Sequence, residues 1–152
     1  MIYKFYCLAH IASGIYAGAC LSISLIDLRF VQDLGDNALK NQYFTILLKN
    51  MGIVMGPLLV LMLVLFLFLT YQKRKNLNSF YPLIVLITIL VITVTIHFPI
   101  NDKFFNLTVP EKDVNYLITK WMYWHYLRTL LAFILPYFIV KYFKQNISKS
   151  EN

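Results

Sequence analysis

Four stretches of the chain read as near-continuous apolar runs, at about residues 2–26, 50–71, 80–97 and 119–140. The first is punctuated by His10, Ser13, Gly14, Gly18, Ser22 and Ser24. The second opens with Gly52, Gly56 and Pro57 and continues as an unbroken Leu/Val/Phe run. The third is rich in Ile, Val and Thr, and the fourth carries Pro136, where a kink is expected. Runs of this length match a hydrocarbon layer of about 30 Å. Inside that layer every backbone donor and acceptor must be satisfied within the segment, so even the β-branched third run is expected to be a helix. The pattern predicts an all-α fold, a four-helix transmembrane bundle forming a single domain over residues 1–152. Thr88, Thr93 and Thr95 are expected to bond back to their own helix carbonyls or across to a neighbour.

Between the first two runs the periodicity changes. Asp27, Arg29, Asp33, Asp36, Lys40 and Lys49 alternate with Leu28, Phe30, Val31, Leu34, Leu39, Tyr43 and Phe44, and Gly35-Asp36-Asn37 marks a break. This is the reading of a short amphipathic region, with a helix on either side of the break, covering the bundle end or lying along the interface. Gly14, Gly18 and Ser22 recur every four residues, a spacing that lets membrane helices approach closely. Together with the small, slightly polar face of His10, Ser13, Gly14, Ala17 and Ser24, it places the first helix inside the bundle.

Composition sharpens the class. At 59% apolar and 14% charged residues with a mean hydropathy of +0.63, the chain lies outside the soluble norm of about 25% charged. The net charge of +7 does not imply nucleic acid, because the basic residues sit at segment ends with no stripe of interleaved aromatics. The expected partners are the lipid bilayer and a lipophilic small molecule, with an oligomer left open. Loop charge favours a multi-pass cell-membrane protein with both termini cytoplasmic. That choice puts Lys4, Lys73, Arg74, Lys75, Lys141, Lys144 and Lys149 inside, a compact set, and Arg29, Lys40, Lys49, Lys103, Lys112 and Lys120 outside among six acids. A cleaved signal is not favoured, since the first run is interrupted by His10 and continues past Cys20. Cys7 and Cys20 lie about 20 Å apart along one helix and cannot pair there.

The chemistry gathers at one end of the third and fourth runs. On a helical wheel Trp121, Trp124, His125, Arg128 and Ala132 fall within about 60° of one direction. A guanidinium inside an apolar segment costs about 2.5 to 3.5 kcal/mol on insertion scales, so Arg128 must face a partner or a wet cavity. Arg128 is either the functional cation or a clamp between helices. Rough depths of about 12 Å for His10, 16 Å for Arg128, 21 Å for His125 and 25 Å for His97 put Arg128 and His10 in one layer. His125 and His97 then lie above, with Trp121 and Asn101, in a polar pocket opening outward. The candidates are His125, Arg128 and His10 as catalytic groups, and Asn101, Trp121, Trp124 and His97 as substrate-binding groups. Trp121 and Trp124 read equally well as an interfacial aromatic belt. No metal site is assigned, because no two histidines are adjacent on one helix and no Glu-x-x-His pair occurs. Haem or copper held by two histidines stays open as an alternative.

The residues resemble a known family. Gly14-Ile15-Tyr16-Ala17-Gly18 in the first helix, Pro99-Ile100-Asn101 closing the third, and Trp121 with Arg128 seven residues on are similar to the anthrone oxygenase-like family, over roughly Ala9 to Ile139. The resemblance implies a compact four-helix membrane protein; some fungal relatives oxidise an anthrone to the anthraquinone with molecular oxygen and no established cofactor. Asn101, Trp121 and Arg128 match the family pattern, and His125 occupies a polar position of varying identity. The turn after the first helix departs from it, with Asp27-Leu28-Arg29 where a proline is expected. Such chemistry asks for a base, His125 or His10, and a fixed cation, Arg128, in a dry pocket. The other expectation is a noncatalytic module that binds lipid or a hydrophobic ligand, or serves as an accessory subunit.

Overall fold

The computed structural model describes residues 2–74 and 77–147, with side chains through residue 141. Among them there is no strand, and four long helical runs carry the chain. Helix α1 spans Ile2–Asp33, α2 Asn37–Gln72 and α3 Leu77–Phe105; these three are long and apolar enough to cross a membrane. Helix α4, Val114–Ile147, carries the polar residues His125, Arg128 and Thr129 and is not among the three over its described residues.

The connector between the first two runs differs from expectation. Its two flanks are not separate amphipathic helices across the bundle end but continuations of α1 and α2, broken only at residues 34–36. The break itself falls where Gly35-Asp36-Asn37 places it. Leu34 turns extended, and the Asp36 carboxylate caps α2 by accepting from the Ala38 amide at 2.9 Å. The apolar positions of the connector continue the helical period, so Leu28, Val31, Phe44 and Leu48 stay buried and the charges point out. Of the basic cluster expected inside, Lys75, Lys149 and the side chain of Lys144 lie outside the described residues.

Helices α1 and α3 each pack against both α2 and α4. Helix α4 continues as helix through Pro136, and α2 through Pro57. Gly14, Gly18 and Ser22 face outward, and a Cβ on either glycine would meet nothing within 4 Å; the buried face of α1 carries Ser13, Ala17, Cys20 and Ser24 instead. All three threonines back-bond within α3, Thr88 to Ile84 (3.0 Å), Thr93 to Ile89 (2.8 Å) and Thr95 to Val91 (2.7 Å).

The buried apolar residues divide into two clusters. One runs from Tyr6 to Cys20 on α1, Met55 to Leu69 on α2, Leu83 to Ile89 on α3 and Ala132 to Ile139 on α4. The other joins Ile23, Leu28, Val31, Phe44, Leu48, Ile100, Phe104, Trp121 and Met122. The gap between clusters holds Ser24 on α1, Thr93 and His97 on α3, and His125, Arg128 and Thr129 on α4, all buried. On α2 the gap carries no buried polar side chain, Lys49 and Asn50 being exposed; Gly52 sits there.

Candidate functional site

Two turns of π-helix border this polar layer. One, Thr93–His97 in α3, ends two residues before Pro99, and the other, Ile23–Asp27 in α1, contains Ser24. Pro99 has no amide to give the ordinary helical bond. A π-turn is a recurrent mark of functional sites because its wider ladder re-aims the side chains it carries. Here the result is His97, 1% exposed, with its ring edge-on to Trp121 at 4.8 Å.

Hydrogen-bond partners fix the histidine tautomers. The Nε2 of His125 lies 3.1 Å from the Cys20 carbonyl, which only accepts, so Nε2 carries the proton. Its Nδ1 is the lone pair, accepting from Arg128 Nη2 at 2.8 Å. Both nitrogens of this fully buried ring are thereby used. His97 is arranged the other way: Nδ1 faces the Ile92 carbonyl at 3.4 Å and must be the donor, which leaves Nε2 as a lone pair with no partner among the described residues. Trp121 stacks on His125 at 4.8 Å and 15°, and its Nε1 donates to Asn101 Oδ1 at 2.9 Å. The Arg128 guanidinium lies 5.7 Å from the Trp121 ring centroid.

Arg128 is 4% exposed and has no carboxylate partner among the described residues. Its Nε also lacks a hydrogen-bond partner among them. Thr129 donates to the His125 carbonyl at 2.8 Å and shares a 3.2 Å hydrogen bond with Ser24, which ties α4 to α1 beside the layer.

A cleft of about 190 Å³ adjoins these groups. His97, Asn101, Trp121 and Arg128 line its polar wall, and Met55, Leu59 and Thr93 lie among the rest of its lining. Its exposed lining residues are Gly52, Gly56 and Phe98, on the helix flanks and not at the loop end of the molecule.

Of the residues singled out in the sequence, the structure therefore brings together His97, Asn101, Trp121, His125 and Arg128. It does not bring His10 there. His10 is exposed, ten residues before Cys20 and so about 15 Å along α1, where it borders a separate groove with Tyr6, Cys7, Ile139 and Val140. The common layer of His10 and Arg128 is corrected accordingly: α1 and α4 run antiparallel, and the contact of Cys20 with His125 sets their register. Trp124 is half-buried and outside the cleft lining. Sequence reasoning missed Gly52, Gly56, Thr93 and Phe98 as cleft residues; the only signal was a glycine pair one turn apart in an otherwise bulky run. Ser24 and Thr129 were visible only as polar residues in apolar surroundings.

No group of three His, Cys, Asp or Glu side chains gathers as metal ligands among the described residues. Haem or copper held by His97 and His125 together would need a free nitrogen on each ring. His125 offers one only by giving up Arg128 or Cys20.

Neither the curated proteins nor the solved structures contain a match to this chain. The family described as anthrone oxygenase matches residues 44–135, more than half of the 152 residues and a stretch that holds the whole cleft lining together with His125. The chain belongs to the anthrone oxygenase family.

Proposed function

We propose that the protein is a four-helix transmembrane bundle, with α4 as the fourth crossing and both termini cytoplasmic, that oxidises a lipophilic aromatic or quinone-like molecule with molecular oxygen. The observation that carries this reading is a buried cation with no carboxylate partner among the described residues, Arg128, lining the same cleft as His97, whose Nε2 has no hydrogen-bond partner among them. A guanidinium cannot shed its proton in a protein, so a dry site that holds one favours an anion beside it. A phenolate or enolate formed in the cleft supplies that anion.

The reaction balances with oxygen alone. A ring methylene and one O₂ become a ring carbonyl and one water. His97 Nε2 takes the first proton and leaves an anion delocalised onto the ring oxygen, which Arg128 stabilises. Its electrons reduce O₂ and a carbon–oxygen bond forms; the protonated imidazole returns its proton to the peroxide. Loss of the second methylene proton then breaks the O–O bond, and hydroxide leaves with that proton as water. Within this scheme His125 is a positioning residue that orients Arg128 through Nδ1, and Asn101 with Trp121 forms the rigid wall against which the ring lies. The base is thus His97 and neither His125, whose lone pair is occupied, nor His10, which lies elsewhere.

The second reading, a noncatalytic module for a hydrophobic ligand, is favoured by the many apolar residues of the cleft. Oxygen uptake by the protein in lipid nanodiscs with anthrone as probe separates them. Catalysis predicts uptake of one O₂ per quinone formed and a loss of about 10²- to 10⁴-fold in His97→Gln. Anthrone binding without turnover overturns the oxidative reading in favour of the binding module.

A further inference from the structure

We infer that the cleft is loaded sideways, from the hydrocarbon of the bilayer, through a mouth between α2 and α3 that Gly52 and Gly56 hold open opposite Phe98. The inference rests on the reading of this cleft as a ligand site and adds how a ligand reaches it.

The end of the molecule nearest the α1–α2 turn is closed. Asn37 accepts from Asn115 (2.9 Å) and donates to the Glu111 carbonyl (3.3 Å), while Lys40 bonds Asn115 (2.9 Å), so that turn is tied to the start of α4. Beneath these bonds Phe44 meets Phe104 at 4.9 Å and Trp121 at 5.3 Å, a buried aromatic plug between the polar layer and the loops. A route from water at that end would have to displace both.

The lateral side is built differently. Gly52, Gly56 and Phe98 are the exposed part of the lining, and their neighbours on the surface, Ile53, Val54 and Val94, are exposed aliphatics. No charged residue lines the cleft except buried Arg128. Glycine weakens a helix interior relative to alanine, so a pair one turn apart calls for a local reason. Packing within the chain does not supply it, because a Cβ at either position would meet nothing within 4 Å. The space over the glycines belongs to the cleft lined by His97 and Arg128, whose Nε2 and Nε are buried nitrogens without hydrogen-bond partners among the described residues. Polar groups left unpaired at membrane depth are costly, and a ligand sliding over the bare α2 backbone can pair with them. A mouth of two glycines facing one aromatic ring selects flat molecules over branched ones.

The test needs no substrate. Trp124→Phe leaves Trp121, on the cleft wall, as the sole tryptophan. Its fluorescence is followed in nanodiscs of phosphatidylcholine with brominated acyl chains, and separately with acrylamide in the water phase. The expected result is strong quenching by the acyl bromines, weak quenching by acrylamide, and loss of most acyl quenching in Gly52→Leu and Gly56→Leu. Leucine favours the helix and enters open space, so circular dichroism and thermal unfolding should match the parent. Phe98→Ala, which removes the facing ring, should increase acyl quenching. Dominant quenching by acrylamide, or acyl quenching indifferent to both leucine variants, overturns the lateral mouth. Oxygen uptake by the unmutated protein tests catalysis separately, so the two readings fail independently.

Discussion

Arg128→Met separates a functional cation from a structural clamp. Methionine keeps an unbranched helix-compatible stem and removes the charge. The change relieves the burial of a guanidinium, worth about 2.5 to 3.5 kcal/mol on insertion scales. Against that it deletes the charged hydrogen bond to His125 Nδ1, about 1.5 to 3 kcal/mol. It also removes the cation–π contact with Trp121, about 0.5 to 2 kcal/mol. The terms offset to between about 1.5 kcal/mol of gain and about 2.5 kcal/mol of loss, so the midpoint of thermal unfolding in mild detergent should move by no more than about 10 °C. Turnover should fall about 10²- to 10³-fold, the usual loss when a preorganised oxyanion donor is removed. Both are read on one preparation, unfolding by tryptophan fluorescence and turnover by oxygen uptake with anthrone. Retained turnover would refute the anion-stabilising role. Collapse of the fold in step with activity would show that Arg128 is a clamp.

The remaining expectations follow from the same contacts. Arg128→Lys keeps the charge but not the planar fork that serves His125 and the cleft together, so a loss of about tenfold or more in turnover is expected with little change in unfolding temperature. Trp121→Phe strips Asn101 Oδ1 of its donor and should destabilise the protein by about 1 to 3 kcal/mol in thermal unfolding. His10→Leu should leave oxygen uptake unchanged, since His10 is exposed at another groove; a large loss would restore it as a candidate base. Ser24→Ala breaks the link to Thr129 and should cost about 0.6 kcal/mol of stability, the average measured for interhelical bonds in a membrane protein.

Much of the fold was legible because the apolar runs are long and the membrane permits little besides helices. What the runs did not convey was where each helix stops. The segment Asp27 to Lys49 looks like a surface element by composition, yet its apolar residues keep the helical period of α1 and α2, and burial of Leu28, Val31, Phe44 and Leu48 lets the helices run on past the hydrophobic stretch. Within the candidate site, Arg128, His125, Trp121 and Asn101 were legible because polar groups in apolar surroundings need partners. His10 met the same criterion and failed it, since a wheel and a depth cannot tell which way a helix faces. The outward-facing Gly14 and Gly18 illustrate the same limit: spacing gives a stripe, not its direction.

The proposed division of labour between the two imidazoles rests on how their backbones present them. His125 sits on an unbroken α-helix, where Arg128 one turn later reaches its Nδ1 and the Cys20 carbonyl of a neighbouring helix meets its Nε2. Both nitrogens of that ring are taken, which is why the proposed scheme gives it a positioning role. His97 ends a π-turn whose widened ladder leaves the Ile92 carbonyl, five residues back, within reach of Nδ1. That one bond fixes the tautomer and turns the remaining lone pair away from the protein's own donors. Proline at position 99 sustains the arrangement, because it withholds an amide from the ordinary helical ladder just beyond the wide turn. A membrane helix could satisfy His97 cheaply by closing the ladder and offering it a hydroxyl, and Thr93 and Thr95 stand close by in sequence. Both threonines instead give their hydroxyls to Ile89 and Val91, and the buried imidazole nitrogen is left without a partner among the described residues.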